Sequence, residues 1–458
     1  MKIYPVLSVV ITAFCLCAVS VSAERKRPAP EVDGFREWLK KHPPKVKTLP
    51  PPTDEQTLGK ALFADANLSL NHNQSCATCH SLSPAKNPAT GKSFGVAGFV
   101  DPDNVTTGTA VSRGSVPDRF GVLNAPSVAY AAFSPEFHWD GVEAMYRGGQ
   151  FWNGRAANLQ AQAAEPFLVA FEMGMPSKWA VVTRLKGNPL YQASFLSLFG
   201  IDLKKIPGRE NVSAATQPPP GVLEAYEALT RAIATFEKTR SLNRFTSKFD
   251  FYLAGMTELS PNERHGMAVF NFNGLCFHCH VSNPSIAPDG TVFPPLFTDH
   301  SYANIGVPRN TTIPGNSPPS LGLGGRKDVL AKSLGGSEIG KHKVSSLRNV
   351  ALTAPYGHNG VFATLEEIVH FYNTRETLGR VASDQDPGFG VTGWAPPEVS
   401  FNVNFDEVGS LNLSAVEEAA LVAFLKTLTD KYPDTGGDPN VPPGTPSPFQ
   451  GTPFPPFP

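Results

Sequence analysis

Cysteine is scarce in this chain, with six residues in 458. Cys15 and Cys17 lie in an apolar N-terminal run, and the other four stand as two close pairs, Cys76 with Cys79 and Cys276 with Cys279. Charge is sparse as well: 17% of residues are charged, 39 basic against 40 acidic, for a formal net charge of -1. A balance this even removes the usual electrostatic reason to propose nucleic acid or a highly charged substrate. Beyond the N-terminal run no apolar stretch is long enough to cross a bilayer, so no membrane span is expected in the mature chain.

The N-terminal run reads as a secretory signal. Met1-Lys2 precedes an apolar stretch from Val6 to Val21, and Val21-Ser22-Ala23 offers small residues for cleavage before the charged Glu24-Arg25-Lys26-Arg27. Cleavage after Ala23 removes Cys15 and Cys17. The competing reading is an uncleaved anchor, since the run is near the shorter limit for spanning. Export to the periplasm places the chain where spare thiols pair, and none is spare here.

What remains is Cys76-Ala77-Thr78-Cys79-His80 and Cys276-Phe277-His278-Cys279-His280. Cys-x-x-Cys-His is the attachment pattern of c-type haem: two thiols add across the vinyl groups, and the adjacent imidazole then stands where it can ligate the iron. A zinc site would need a second Cys or His pair at ligand spacing. A thioredoxin-like pair would not account for a histidine after the second cysteine both times. Two covalently bound haems c are therefore expected, on Cys76, Cys79 and His80 and on Cys276, Cys279 and His280.

About 435 mature residues suggest two or three domains. The 44 prolines and 40 glycines suggest a loop-rich protein in which porphyrin makes up much of the core. Thr53 reads as an N-cap with Gln56 at the third helical position, opening a helix through Leu58, Leu62 and Phe63 before the first motif. Ser260, Pro261 and Glu263 open a similar helix before the second. Gly59-Lys60-Ala61-Leu62-Phe63 is echoed by Gly266-Met267-Ala268-Val269-Phe270. Helices are also predicted over Ala225 to Arg240 and after Ser414, with Glu417 as its capping-box acid.

The expected fold is mainly α: two cytochrome c-like haem domains with long loops, related by duplication. They span residues 53–245 and 246–432. The signal peptide 1–23 and an extended, proline-rich lead-in 24–52 come first. A proline-rich tail, 433–458, is expected to be disordered.

Two haem motifs, export, and the stretches Phe151-Trp152-Asn153-Gly154-Arg155 and Leu347-Arg348-Asn349-Val350-Ala351-Leu352-Thr353-Ala354-Pro355-Tyr356-Gly357-His358-Asn359-Gly360 together resemble the bacterial dihaem cytochrome c peroxidase and MauG family. The similarity covers roughly residues 53–430. It implies that the N-terminal haem is peroxidatic, that the C-terminal haem transfers electrons, and that Trp152 lies between them. Taken alone, Trp152 reads equally well as a core aromatic, and Phe137-His138-Trp139-Asp140-Gly141 is a local echo of its segment.

The resemblance also implies a peroxide pocket built from Gln162 and Glu172, with Pro166 between them. Cleaving an oxygen-oxygen bond heterolytically requires moving a proton from one oxygen to the other, and a carboxylate can carry it. Glu172 is the expected acid-base residue, and Gln162 would orient peroxide or water. Without the family spacing they read as a loop carboxylate and a solvated helical glutamine.

Many members close the first haem with a histidine from the loop after the motif, yet residues 81–137 contain none. The first haem is therefore expected to be open at rest, as in MauG-like members; His138 and His72 are the lesser candidates for closing it. At the second haem the family's methionine position falls on Tyr372, as in MauG, with His358 or His370 as the competing ligands. An anionic oxygen would stabilise ferric and higher states. Asn124, with the carbonyls of Thr353 and Pro355, matches the family's calcium site, a hard-oxygen set.

The expected activity is reduction of hydrogen peroxide with electrons from a small donor protein, a cytochrome c or a cupredoxin. One rival is MauG-like oxidation of a partner protein's side chains through a high-valent dihaem state. A second is a non-catalytic dihaem electron carrier, which the Gln162 and Glu172 spacing argues against.

Overall fold

The computed structural model of the chain describes residues 32–42, 54–86, 93–97, 100–286, 291–315, 317–332 and 336–451. The signal peptide and the N-cap expected at Thr53 lie outside them.

The glycine in each echo sets the architecture. Gly59 lies in the helix Asp54–Phe63, and a Cβ added there would stand 1.9 Å from the carbonyl oxygen of Ala232 in the helix Val222–Glu237. Gly266 lies in the helix Pro261–Asn271, where a Cβ would stand 1.8 Å from the carbonyl oxygen of Ala420 in the helix Ala415–Lys426. Only glycine permits so close a backbone approach. Phe236 and Phe424 pack beside the two crossings in the same relation. Each half thus crosses its leading helix over a later one and follows the leading helix with a Cys-x-x-Cys-His segment.

The local signals hold at two of the expected helix starts. Ser260 accepts from Glu263 N while the Glu263 carboxylate accepts from Ser260 N, and Ser414 and Glu417 repeat the arrangement. The helix predicted from Ala225 starts one turn earlier, at Val222, behind a left-handed Gly221. Mainly α is nevertheless too strong. Fourteen α-helices occur among the described residues, many of four to six residues, and loops with two-stranded ribbons fill the rest. The frequent prolines and glycines stop helices early.

The halves meet around Arg348. Its guanidinium grips both oxygens of Asp250 at 3.0 and 2.9 Å, and neither side chain is exposed to solvent. Its Nε donates to the Pro295 carbonyl at 2.9 Å, and the cation stands 4.9 Å from the Tyr130 ring centre and 4.5 Å from that of Phe245. Nearby, Asp430 accepts from Tyr130 Oη, Thr246 N and Asn349 Nδ2. One hydrophobic cluster runs from Leu39 to Phe449 with members in both halves.

Lead-in and tail are more ordered than their composition suggests. Val32–Lys41 is a helix; it buries Leu39 and donates from Arg36 to the carbonyls of Tyr252 and Thr257. Flanking prolines hid its short apolar face. The tail, expected to be disordered, packs back through buried Val441 and Phe449, and Ser447 donates to the Phe245 carbonyl. A few well-placed apolar residues outweigh its prolines.

Replacing Gly266 with Ala should cost about 1–3 kcal/mol of stability through backbone displacement at the crossing. Gly141→Ala, whose Cβ meets nothing within 4 Å, serves as the control. Thermal unfolding of the two holo-proteins checks this, and equal midpoints would refute the crossing argument.

Candidate haem sites and the seam between them

At the second motif the chain turns through Cys276–His278, and His280 N donates back to the Cys276 carbonyl at 2.8 Å. The imidazole Nδ1 lies 2.8 Å from the Phe297 carbonyl, a contact that orients the ring with Nε2 as its second nitrogen. Burial lowers the basicity of this histidine, which favours the neutral imidazole that metal ligation requires. Cys276, Cys279 and His280 line a cavity of about 240 Å³ that Tyr372, Trp152 and Lys343 also face.

Tyr372 comes from the helix Leu365–Thr374. Burial, then the proximity of Cys279 and Cys276, holds its hydroxyl well above the usual phenol range. Its histidine rivals are engaged elsewhere. His370 Nδ1 bonds to Glu418 at 3.0 Å, and His358 Nε2 bonds to Glu398 at 2.7 Å although its ring reaches the cavity wall.

The first motif forms a one-turn helix, Cys76–Cys79, capped by Ser75, and His80 N again reaches the Cys76 carbonyl at 2.8 Å. Glu172 lies close enough to Cys76 and Cys79 to contribute to raising both thiols, behind burial and nearer acids. The Glu172 carboxyl is itself pushed up to about 7 by desolvation, against the pull of Arg155 and with the help of Glu165. Arg155 is held by Glu165 at 2.7 Å and stacks 3.5 Å from the Phe151 ring centre. Gln162 closes the short helix Leu159–Ala163, which Asn158 caps.

Neither spare histidine joins this site. His138 lies on an exposed strand with Nδ1 against the Glu136 carbonyl, and His72 sits at the surface against Arg184.

Between the motifs, Trp152 donates its indole N–H to the Asn124 carbonyl at 2.8 Å, and its ring centre lies 6.4 Å from that of His358. The Asn124 side chain reaches the Pro355 carbonyl at 2.7 Å, and Thr353 lines the same cavity. With its amide turned, Asn124 would present Oδ1 beside that carbonyl. A cation held between them would be needed to keep two oxygens that close.

The family model for di-haem cytochrome c peroxidase matches residues 53–258. Methylamine utilization protein MauG of Paracoccus denitrificans (strain Pd 1222) is 37% identical over 378 residues, covering 82% of this chain and 88% of that protein. The chain belongs to the di-haem cytochrome c peroxidase and MauG family. Cytochrome c551 peroxidase of Nitrosomonas europaea is 30% identical over 398 residues, covering 85% of this chain and 84% of the relative. The crystal structure of the diheme peroxidase BthA from Burkholderia thailandensis E264 superposes with a TM-score of 0.65 at 28% identity, covering 85% of this chain and 89% of that one.

As a family member the chain is a di-haem oxidoreductase and carries two haems. The second cavity fits one. Lys343 also lines this cavity, and burial pushes its ammonium down to about 7. It donates to Ser134 and the Gly149 carbonyl, both neutral.

Sequence reasoning missed Lys343, which has no motif around it. It also missed Glu237, a fully desolvated carboxyl close to Cys76 that burial pushes up to about 8.

Lys343→Met should lower the midpoint potential of the second haem, because a removed positive charge no longer favours the ferrous state. Spectroelectrochemical titration measures this, and an unchanged potential would mean that the ammonium does not face the haem.

Proposed function

We propose that the chain is a c-type dihaem peroxidase that reduces hydrogen peroxide with electrons from a small redox protein, exported to the periplasm. The observation that carries this reading is Glu172, a carboxyl near both thiols of the first motif and poised near pH 7. A general acid-base group works best with a pKa near the operating pH. The haems, covalently attached through Cys76, Cys79, Cys276 and Cys279, supply the redox chemistry when bound.

The protein's own part is proton handling and placement. Glu172 takes a proton from one peroxide oxygen and returns it to the other, so that the second oxygen leaves as water. Gln162 orients the peroxide. Trp152, fixed by the Asn124 carbonyl, bridges the seam electronically. His80 and His280 would hold the two haem irons, and Tyr372, which lines the same cavity as His280, would offer a further oxygen ligand at the second motif. Asn124, Thr353 and Pro355 offer neutral oxygens to a calcium ion. The repeated glycine crossing supports an origin of the halves by duplication.

Tyr372 favours a second reading, MauG-like oxidation of a partner protein. A phenolate ligand stabilises oxidised iron and makes the second haem a poor acceptor from a donor cytochrome. Many turnovers of peroxide with a reduced cytochrome c or cupredoxin decide for the peroxidase. A single turnover per protein, whatever the donor, decides for the rival.

Two outcomes are expected. The working form of Glu172 is the carboxylate, so kcat/KM for peroxide should rise with pH through about 7 and then level. Glu172→Gln should flatten that limb and lower kcat/KM by about 100- to 10,000-fold; an unaltered steady-state rate would remove Glu172 from the reaction. Separately, Tyr372→Met should change the low-spin electron paramagnetic resonance signal of the ferric protein while His370→Gln leaves it alone, and the reverse pattern would reassign the ligand.

A further inference from the structure

Strands His138–Asp140 and Met145–Arg147 form a hairpin that the peroxidase reading leaves without a role. It is well braced. The Asp140 carboxylate accepts from Val142 N and Glu143 N at 3.0 and 3.2 Å and stands 2.9 Å from Arg147 Nε, and Arg147 Nη1 donates to the Asp299 carbonyl at 2.7 Å. On this rigid ribbon Trp139 is 51% exposed. Single exposed aromatics are common and mean little alone.

What sets Trp139 apart is an unbroken run of ring contacts leading inward. Its ring centre lies 4.9 Å from that of Tyr146, its cross-strand partner. Tyr146 stacks on Phe137 at 5.2 Å with planes 7° apart, and Phe137 meets the buried ring of Tyr302 edge-on at 6.1 Å. The Tyr302 hydroxyl lies against Gly154, where a Cβ would meet it at 2.0 Å, two residues from Trp152. The next residue, Ala303, lines the cavity of the second haem, and Lys343 N, opposite Tyr302 in its ribbon, donates to the Trp152 carbonyl at 2.8 Å.

We propose that Trp139 is the surface terminal of an electron path, running through Tyr146, Phe137 and Tyr302 to the second haem and Trp152. A reduced one-electron donor protein would feed this path. The proposal rests on the peroxidase reading, because peroxide supplies the oxidant.

Each peroxide takes up two electrons and two protons, and its O–O bond breaks to give two waters. Both electrons leave through the indole of Trp139, one at a time. The ring is left one electron short after each departure and can then release its N–H proton. A reduced donor then returns the electron while water returns the proton, so two donors are oxidised per peroxide.

The test treats the holo-protein with one equivalent of peroxide without donor, in the presence of a nitroso spin trap. Peptide mass spectrometry locates the adducts, and haem absorbance is followed in the same samples. An adduct on Trp139 in the parent protein that is depleted in Tyr146→Leu supports the path. So does loss of most turnover with reduced cytochrome c in Trp139→Phe, a change at an exposed ring that the fold tolerates. A normal haem response to peroxide with no adduct on Trp139 and unchanged turnover in Trp139→Phe overturns the path and leaves the peroxidase reading standing. Absence of any haem response overturns the peroxidase reading, and the path falls with it.

Discussion

The guanidinium of Arg348 is enclosed by three parts of the chain at once. Burying a cation costs several kcal/mol unless its charge and donors are met, and here Asp250, the Pro295 carbonyl and the faces of Tyr130 and Phe245 meet them. Asp250 and Pro295 belong to the second half and Tyr130 to the first. Satisfying one charge therefore fixes their relative placement. Pro295 is two residues from Phe297, whose carbonyl faces Nδ1 of His280. The orientation of the His280 imidazole is thus tied to an ion pair outside its own motif.

The halves share a helix crossing but not an electrostatic character. The first surrounds its motif with carboxyls, Glu172 and Glu237, both held in the middle pH range by burial. The second offers a cation, Lys343, and a phenol, Tyr372. A carboxyl near neutrality is suited to moving a proton, whereas a positive charge or a phenol oxygen beside a haem would act on its potential. The halves share the close helix crossing and differ in the side chains beside their motifs.

Much of this was legible in the residues. Both attachment motifs, the capping boxes at Ser260 and Ser414 and the glycine echo are local patterns, and local patterns survive in a one-dimensional reading. Family membership followed from residues 347–360 and 151–155. The helix Val32–Lys41 and the packed tail were hidden by prolines, because a few buried contacts can order a segment whose average composition argues otherwise. Lys343 was out of reach for another reason: its importance lies in what surrounds it, and its neighbours in space are not its neighbours in sequence. Arg348 stood in the quoted stretch, but nothing along the chain pairs it with Asp250, 98 residues away.

Trp152 gives its only N–H to a peptide carbonyl. Such an oxygen accepts a hydrogen bond but is far too weak a base to take the proton. A ring in that position can pass an electron only as a charged species that keeps its hydrogen throughout. Charge would therefore cross the seam without hydrogen, while at Glu172 hydrogen moves within a single pocket. Acidity of the medium would bear on the second event and leave the first untouched.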